Sequence, residues 1–74
     1  MNIHVQLIGL FKTGRFDQKT LDVPEGIRVD EVIATLGLPR QLFGIVLIND
    51  LHAEPASQLR EGDRLVLMPI VDGG

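Results

Sequence analysis

Cysteine is absent from this 74-residue chain. That excludes a disulfide framework, a thiolate zinc site and an iron–sulfur cluster. Tryptophan and tyrosine are absent as well, and only three phenylalanines occur, so the chain offers no platform on which bases could stack. Positive charge is sparse: seven Lys and Arg stand apart at 12, 15, 19, 28, 40, 60 and 64, against ten Asp and Glu, for a net charge of −3. Binding nucleic acid by counterion release needs a basic face, which is missing, so no nucleic-acid partner is expected. An acidic chain suits a protein partner or a cationic pocket better. Long apolar runs are lacking too, none approaching the roughly 18 residues of a membrane span. No basic start followed by an apolar block marks a secretion signal. No membrane partner and a cytoplasmic location are therefore expected.

The inventory for catalysis is equally thin. Ser57 is the single serine, and His4 and His52 are the two histidines. Nucleophilic catalysis needs a nucleophile beside a base that a third group orients. Ser57 lies between Ala56 and Gln58 in a stretch that reads as a turn, and His4 alternates with Ile3 and Val5, which points it to solvent. The two histidines lie far apart with no acidic spacing motif between them, so no metal site is expected. A protein of this make-up is better suited to being acted upon than to acting.

Aliphatic residues are abundant: 7 Ile, 11 Leu and 7 Val. A domain of this size buries only about 60% of its unfolded surface, so its stability must come from packing these side chains. Ile3, Val5 and Leu7 alternate with His4, Gln6 and Ile8, the period-2 signature of a half-buried strand. Thr13-Gly14-Arg15 breaks the pattern, and Lys19 to Val23 alternates again, which predicts a hairpin closed by Pro24-Glu25-Gly26. Val29, Val32, Ile33 and Leu36 then fall on one helical stripe, with Asp30 and Glu31 in the first turn, Gly37 as the terminator and Pro39 beyond it. Arg28 occupies the place where Ser, Thr or Asp would cap best. Gly44 to Ile48 is a continuous apolar run that suits an interior strand, Asn49-Asp50 turns the chain, and Leu51 to Ala53 pairs back briefly. Residues 54–60 read as irregular, with Leu59 plugging the core. Glu61-Gly62-Asp63 is a tight turn, and Arg64 to Met68 is the last strand, fading at Pro69, which has no N–H to donate.

One helix among these strands has only the sheet to pack on. The fold class is therefore α+β, a roll of the β-grasp kind: a mixed sheet of four to five strands covered by one main helix. Residues 1–74 form a single domain, with 69–74 as a flexible C-terminal tail. Leu65 and Leu67 serve the core, which leaves Val66, Met68 and Ile70 on the other face, with Ile8 beside them. Such residues form either a contact patch or a scatter of ordinary exposed aliphatics.

The sequence closes on Pro69-Ile70-Val71-Asp72-Gly73-Gly74. Two glycines leave a bare carboxylate that can pass through a channel too narrow for side chains. Six extended residues reach about 20 Å. The same glycines also fit an ordinary frayed end.

The stretch from Leu59 through Gly62-Asp63 and the apolar strand to Gly73-Gly74 resembles the ThiS/MoaD family of ubiquitin-like sulfur carriers, which shows Leu, then Gly-Asp, an apolar strand and Pro-Pro-Val-x-Gly-Gly. The length and element order are similar along the whole chain. Ile70 stands where a second Pro is common, and Asp72 where small residues are usual. The resemblance implies a carrier rather than an enzyme. A ubiquitin-activating-type enzyme, using ATP and magnesium, adenylates the Gly74 carboxylate. A persulfide sulfur from another protein displaces AMP, and the Gly74 thiocarboxylate passes its sulfur to a precursor held by a synthase subunit. The sulfur serves molybdopterin or thiamine thiazole synthesis, and no cofactor is bound permanently. Gly74 is then the reacting residue, and Gly73, Asp72 and Val71 thread the channel. Met68, Ile8, Val66 and Ile70 dock the partner, with Arg64 either a rim charge or a solvated residue at the strand end. Two other readings use the same residues: a ubiquitin-like modifier joined through Gly74 to lysine, and a non-covalent β-grasp binding domain.

Overall fold

The structure, a computed structural model, describes residues 1–70. Strand β1 (Asn2–Leu7) is followed by β2 (Gln18–Asp22), helix α1 (Val29–Leu36), β3 (Phe43–Ile48), the two-residue β4 (Leu51–His52) and β5 (Arg64–Pro69). Short 3-10 turns at Gly9–Lys12 and Arg40–Leu42 lead out of β1 and into β3. The strands form one mixed sheet in the order β2-β1-β5-β3-β4. The first and last strands lie side by side and parallel, with Val5 opposite Leu65 and Leu7 opposite Leu67; the other pairings are antiparallel. This is the expected β-grasp, with five strands. Among the described residues no helix is long and apolar enough to cross a membrane.

The alternation read in the sequence decides which face is covered. Ile3, Val5 and Leu7 of β1 and Leu65 and Leu67 of β5 are buried beneath Val29, Val32 and Ile33 of α1. Burying a side chain of this kind stabilises the fold by about 1.5–3 kcal/mol. Phe11 and Phe43 close one end of the core with ring centroids 4.8 Å apart. Leu59 plugs the core as expected, 2% exposed, and its N–H donates to the Ile27 carbonyl.

Helix α1 begins at a residue poorly suited to capping, and the irregular segment after β4 explains how. The Val29 and Asp30 N–H groups donate to the Ser57 and Pro55 carbonyls, so two orphan donors of the first turn are satisfied from across the fold. Glu31 supplies the local half of a capping box, its carboxylate accepting from the Arg28 backbone N–H at 3.0 Å. The Arg28 side chain turns instead to Asp30. These hydrogen bonds, and then the Asp30 charge, push the pKa of the exposed guanidinium up from its ordinary value. At the other end Gly37 takes the left-handed conformation, φ 68°, and lets the Leu38 N–H reach back to the Ile33 carbonyl. Arg15 donates to the Gly37 carbonyl, placing a cation where the helix dipole favours one.

One boundary differs from the sequence reading. Strand pairing does not fade at Pro69; of the segment 69–74 expected as a tail, residues 71–74 lie outside the described residues. Pro69 is buried within β5 and pairs with Phe43, and the Ile70 N–H donates to the Leu42 carbonyl. The missing Pro69 donor is accommodated by a register shift in β3 between Phe43 and Ile45, a bulge that keeps the two strands together past the proline.

Candidate functional site

The helix covers one face of the sheet and leaves the other open. Register alone gives the composition of the open face. Level with Arg64 at the start of β5 it carries His4 and Thr20; level with Val66 it carries Gln6, Gln18 and Leu47; toward the end of β5 it carries Ile8, Ile45 and Met68. The face is therefore polar at one end and apolar at the other. At the polar end His4 Nε2 and Gln18 Oε1 are 3.0 Å apart, and the Arg64 guanidinium pairs with Asp50.

The apolar end is concave. A depression of about 320 Å³ is lined by Ile8, Gly9, Gly44, Ile45, Met68, Pro69 and Ile70. Ile70 is 51% exposed and Ile45 39% exposed, while Ile8 and Met68 are half-buried. An apolar hollow with such accessible walls on a small domain is the kind of surface a partner covers. It lies where β5 ends, the point from which the chain runs on toward Gly73-Gly74.

Of the expected docking residues, Met68, Ile8 and Ile70 are brought together in this hollow. Val66 is not part of it: it is on the same face but only 8% exposed, because it stands on the central strand between Gln6 of β1 and Leu47 of β3. Arg64 does not line the hollow. It lies four residues before Met68 along β5, about 13 Å at strand spacing, at the polar end of the face. Val71, Asp72, Gly73 and Gly74 lie outside the described residues.

Ile45 and Gly44 belong to the hollow and were not singled out from the sequence. The signal that marks them is Gly44 itself, a glycine inside a strand pattern, which indicates a bulge. The bulge turns Phe43 toward the core and Ile45 to the open face, two positions that strict alternation would place together.

A second hollow, about 370 Å³, lies beside β4 and is lined in part by His52, Ser57, Gln58 and Arg60. Its serine is committed to a turn: Ser57 Oγ accepts from the Glu54 N–H at 3.0 Å, and the Ser57 N–H donates to the Glu54 carbonyl. Among the described residues no group of three or more His, Cys, Asp or Glu is placed to hold a metal ion.

A mixed sheet with parallel outermost-in-sequence strands, one helix across it and an apolar corner at the end of the last strand defines a ubiquitin-like β-grasp protein. The chain belongs to the ThiS family, whose family model matches residues 5–74. Solved structures agree on the fold. SAMP1 from Haloferax volcanii is similar with a TM-score of 0.78 and 23% identity, covering 100% of both chains. A molybdopterin converting factor subunit 1 from Pyrococcus furiosus matches with a TM-score of 0.78 and 21% identity, over 96% of this chain and 99% of that one. A complex of subunits 1 and 2 of the molybdopterin-converting factor from Helicobacter pylori matches with a TM-score of 0.67 and 21% identity, over 100% of both chains. No curated protein matches the sequence.

Proposed function

We propose that this protein is a sulfur carrier whose reacting group is the carboxylate of Gly74. The observation that carries the reading is the apolar hollow at the end of β5: the surface suited to docking adjoins the point from which the chain continues to Gly73-Gly74. ThiS family membership and the two molybdopterin-converting-factor relatives support it.

The chemistry follows from the weakness of a carboxylate as an electrophile. An oxygen of the Gly74 carboxylate attacks the α-phosphorus of ATP, which a ubiquitin-activating-type enzyme binds with magnesium, and pyrophosphate leaves. The terminal sulfur of a donor persulfide then attacks the carbonyl carbon of the acyl-adenylate, and AMP leaves. A thiol cleaves the resulting acyl disulfide at its S–S bond, forming a new disulfide and releasing the Gly74 thiocarboxylate. The sulfur passes to a precursor held by a synthase subunit; a partner subunit is supported by the Helicobacter pylori relative, whose subunit 1 forms a complex with subunit 2. The chemistry serves molybdopterin or thiamine thiazole synthesis. In this scheme the chain is a carrier and substrate; it binds no cofactor of its own. Met68, Ile8, Ile45 and Ile70 dock the partner, while Val71, Asp72 and Gly73 pass through the channel that leads to the bound ATP.

The test is ATP–pyrophosphate exchange with a ubiquitin-activating-type enzyme from the same cells, using the full chain and a variant shortened by Gly74. Exchange that requires the full chain and is lost with Gly74 supports the reading. Equal exchange with both, or none with either, contradicts it.

A further inference from the structure

We propose that Gly44 is a positioning residue, whose missing side chain lets β3 close on Ile70 and so sets the point from which the chain continues toward Gly74. This deepens the carrier reading and rests on it. The first observation concerns why a glycine stands there. Six glycines fall among the described residues, and five of them, Gly9, Gly14, Gly26, Gly37 and Gly62, have positive φ, a conformation that itself favours glycine. Gly44 does not. Its backbone is open to any residue, so the reason for glycine lies in what surrounds it.

What surrounds it is the chain just beyond β5. A Cβ at position 44 would lie 3.1 Å from Ile70 Cα, 3.1 Å from the Ile70 nitrogen and 3.1 Å from the Pro69 carbonyl oxygen. All three are backbone atoms, which no side-chain rotation moves aside. Real Cβ contacts this short are rare, and relief requires a shift of a few tenths of an ångström. The second observation is the hydrogen bond that holds the same residue from the adjoining turn, in which the Ile70 N–H donates to the Leu42 carbonyl. Ile70 thus meets the backbone of one neighbouring segment at two points, Leu42 and Gly44, just after the last paired residue of β5 and beside a bulge whose extra residue is Gly44.

This geometry has a consequence for the reaction. Docking fixes the open sheet face, including Ile45 and Met68, on the partner. The carboxylate must then reach its target across residues 71–74, at most about 14 Å of chain. The starting point of that reach is Ile70, and Gly44 fixes it. A methyl group at 44 displaces the start relative to the docked face and misplaces the reacting carboxylate.

The experiment compares Gly44→Ala with the parent chain in two measurements. The first is amide hydrogen exchange at Ile70, which needs no enzyme; protection is expected to fall about tenfold while core amides such as Leu65 and Leu67 keep theirs. The second is adenylation by the ubiquitin-activating-type enzyme, where the rate at saturating protein is expected to fall about tenfold or more, the usual scale for a misplaced reacting group. Unchanged Ile70 exchange overturns the proposal. So does a variant in which KM alone rises and the saturated rate holds, because Gly44 would then act through docking. Protection retained at Leu65 and Leu67 shows that the Gly44→Ala sheet is intact; loss of protection there together with Ile70 would mean that Gly44 serves the fold as a whole and overturns the proposal. A parent chain that is never adenylated contradicts the proposed function, and the exchange measurement then still decides whether Gly44 holds Ile70.

Discussion

Met68 and Ile45 face each other across β5 and β3 on the open side of the sheet, with Ile8 and Ile70 completing the wall of the hollow. Apolar side chains in such a place contribute to association by leaving water, and the central ones in an interface can each be worth about 2 kcal/mol or more. A carboxylate there opposes docking twice, through lost apolar contact and through the cost of drying a charge. Met68→Glu is therefore expected to weaken binding to the activating enzyme at least about tenfold, on the scale of 1.4 kcal/mol per decade. Titration calorimetry measures this, and an unchanged chemical-denaturation midpoint shows that the fold is intact. Unaltered affinity would mean that the partner binds elsewhere. Three of these four residues were legible in the sequence, because alternation in β1 and β5 separates core positions from open-face positions. Ile45 was not, because the bulge at Gly44 reverses the alternation inside an apolar run that shows none. Val66 lies on the face that alternation gives it, while its central place in the sheet leaves it only 8% exposed, which alternation does not show.

At the scale of the element, the β3–β4 hairpin shows how little chain this fold uses to turn. Asn49 and Asp50 form a two-residue loop with both φ values positive, 52° and 69°, the conformation that matches the twist of the flanking strands. Asn49 also ties the turn to the start of β5: its Nδ2 donates to Asp63 Oδ1 at 2.9 Å, and its Oδ1 accepts from the Arg64 N–H at 3.0 Å. Asn49→Ala removes both bonds and leaves a residue poorly suited to left-handed backbone, so a loss of about 1–2 kcal/mol is expected in chemical denaturation. A change below about 0.5 kcal/mol, within the range of ordinary surface substitutions, would show that the network contributes nothing. Helix α1 was fully legible, from the apolar stripe at Val29, Val32, Ile33 and Leu36 to Gly37. Its N-terminal capping was not. The carbonyls that replace a capping side chain belong to Pro55 and Ser57, more than twenty residues further along the chain, and no local pattern announces a contact of that kind.

The whole molecule divides its aliphatic residues between two tasks. One set is sealed between the sheet and α1, where Val5, Leu7, Val29, Leu65 and Leu67 are fully buried. A chain of this length has a total stability of only about 4–11 kcal/mol, so this set leaves little to spare. The smaller set stays on the open face at the end of β5, where it adds little to the fold. The division fits a protein whose body docks and whose reactive group lies at the end of the sequence. On the proposed reading the absence of cysteine gains a meaning: sulfur carried by this chain would ride on a carboxylate, that of Gly74. The most direct test is the mass of the C-terminal tryptic peptide, residues 65–74, after reaction with the activating enzyme, ATP and a persulfide donor. The account predicts the replacement of one oxygen by sulfur, confined to Gly74. An unaltered peptide, sulfur found on another part of the chain, or isopeptide-linked adducts in place of the thiocarboxylate would contradict it.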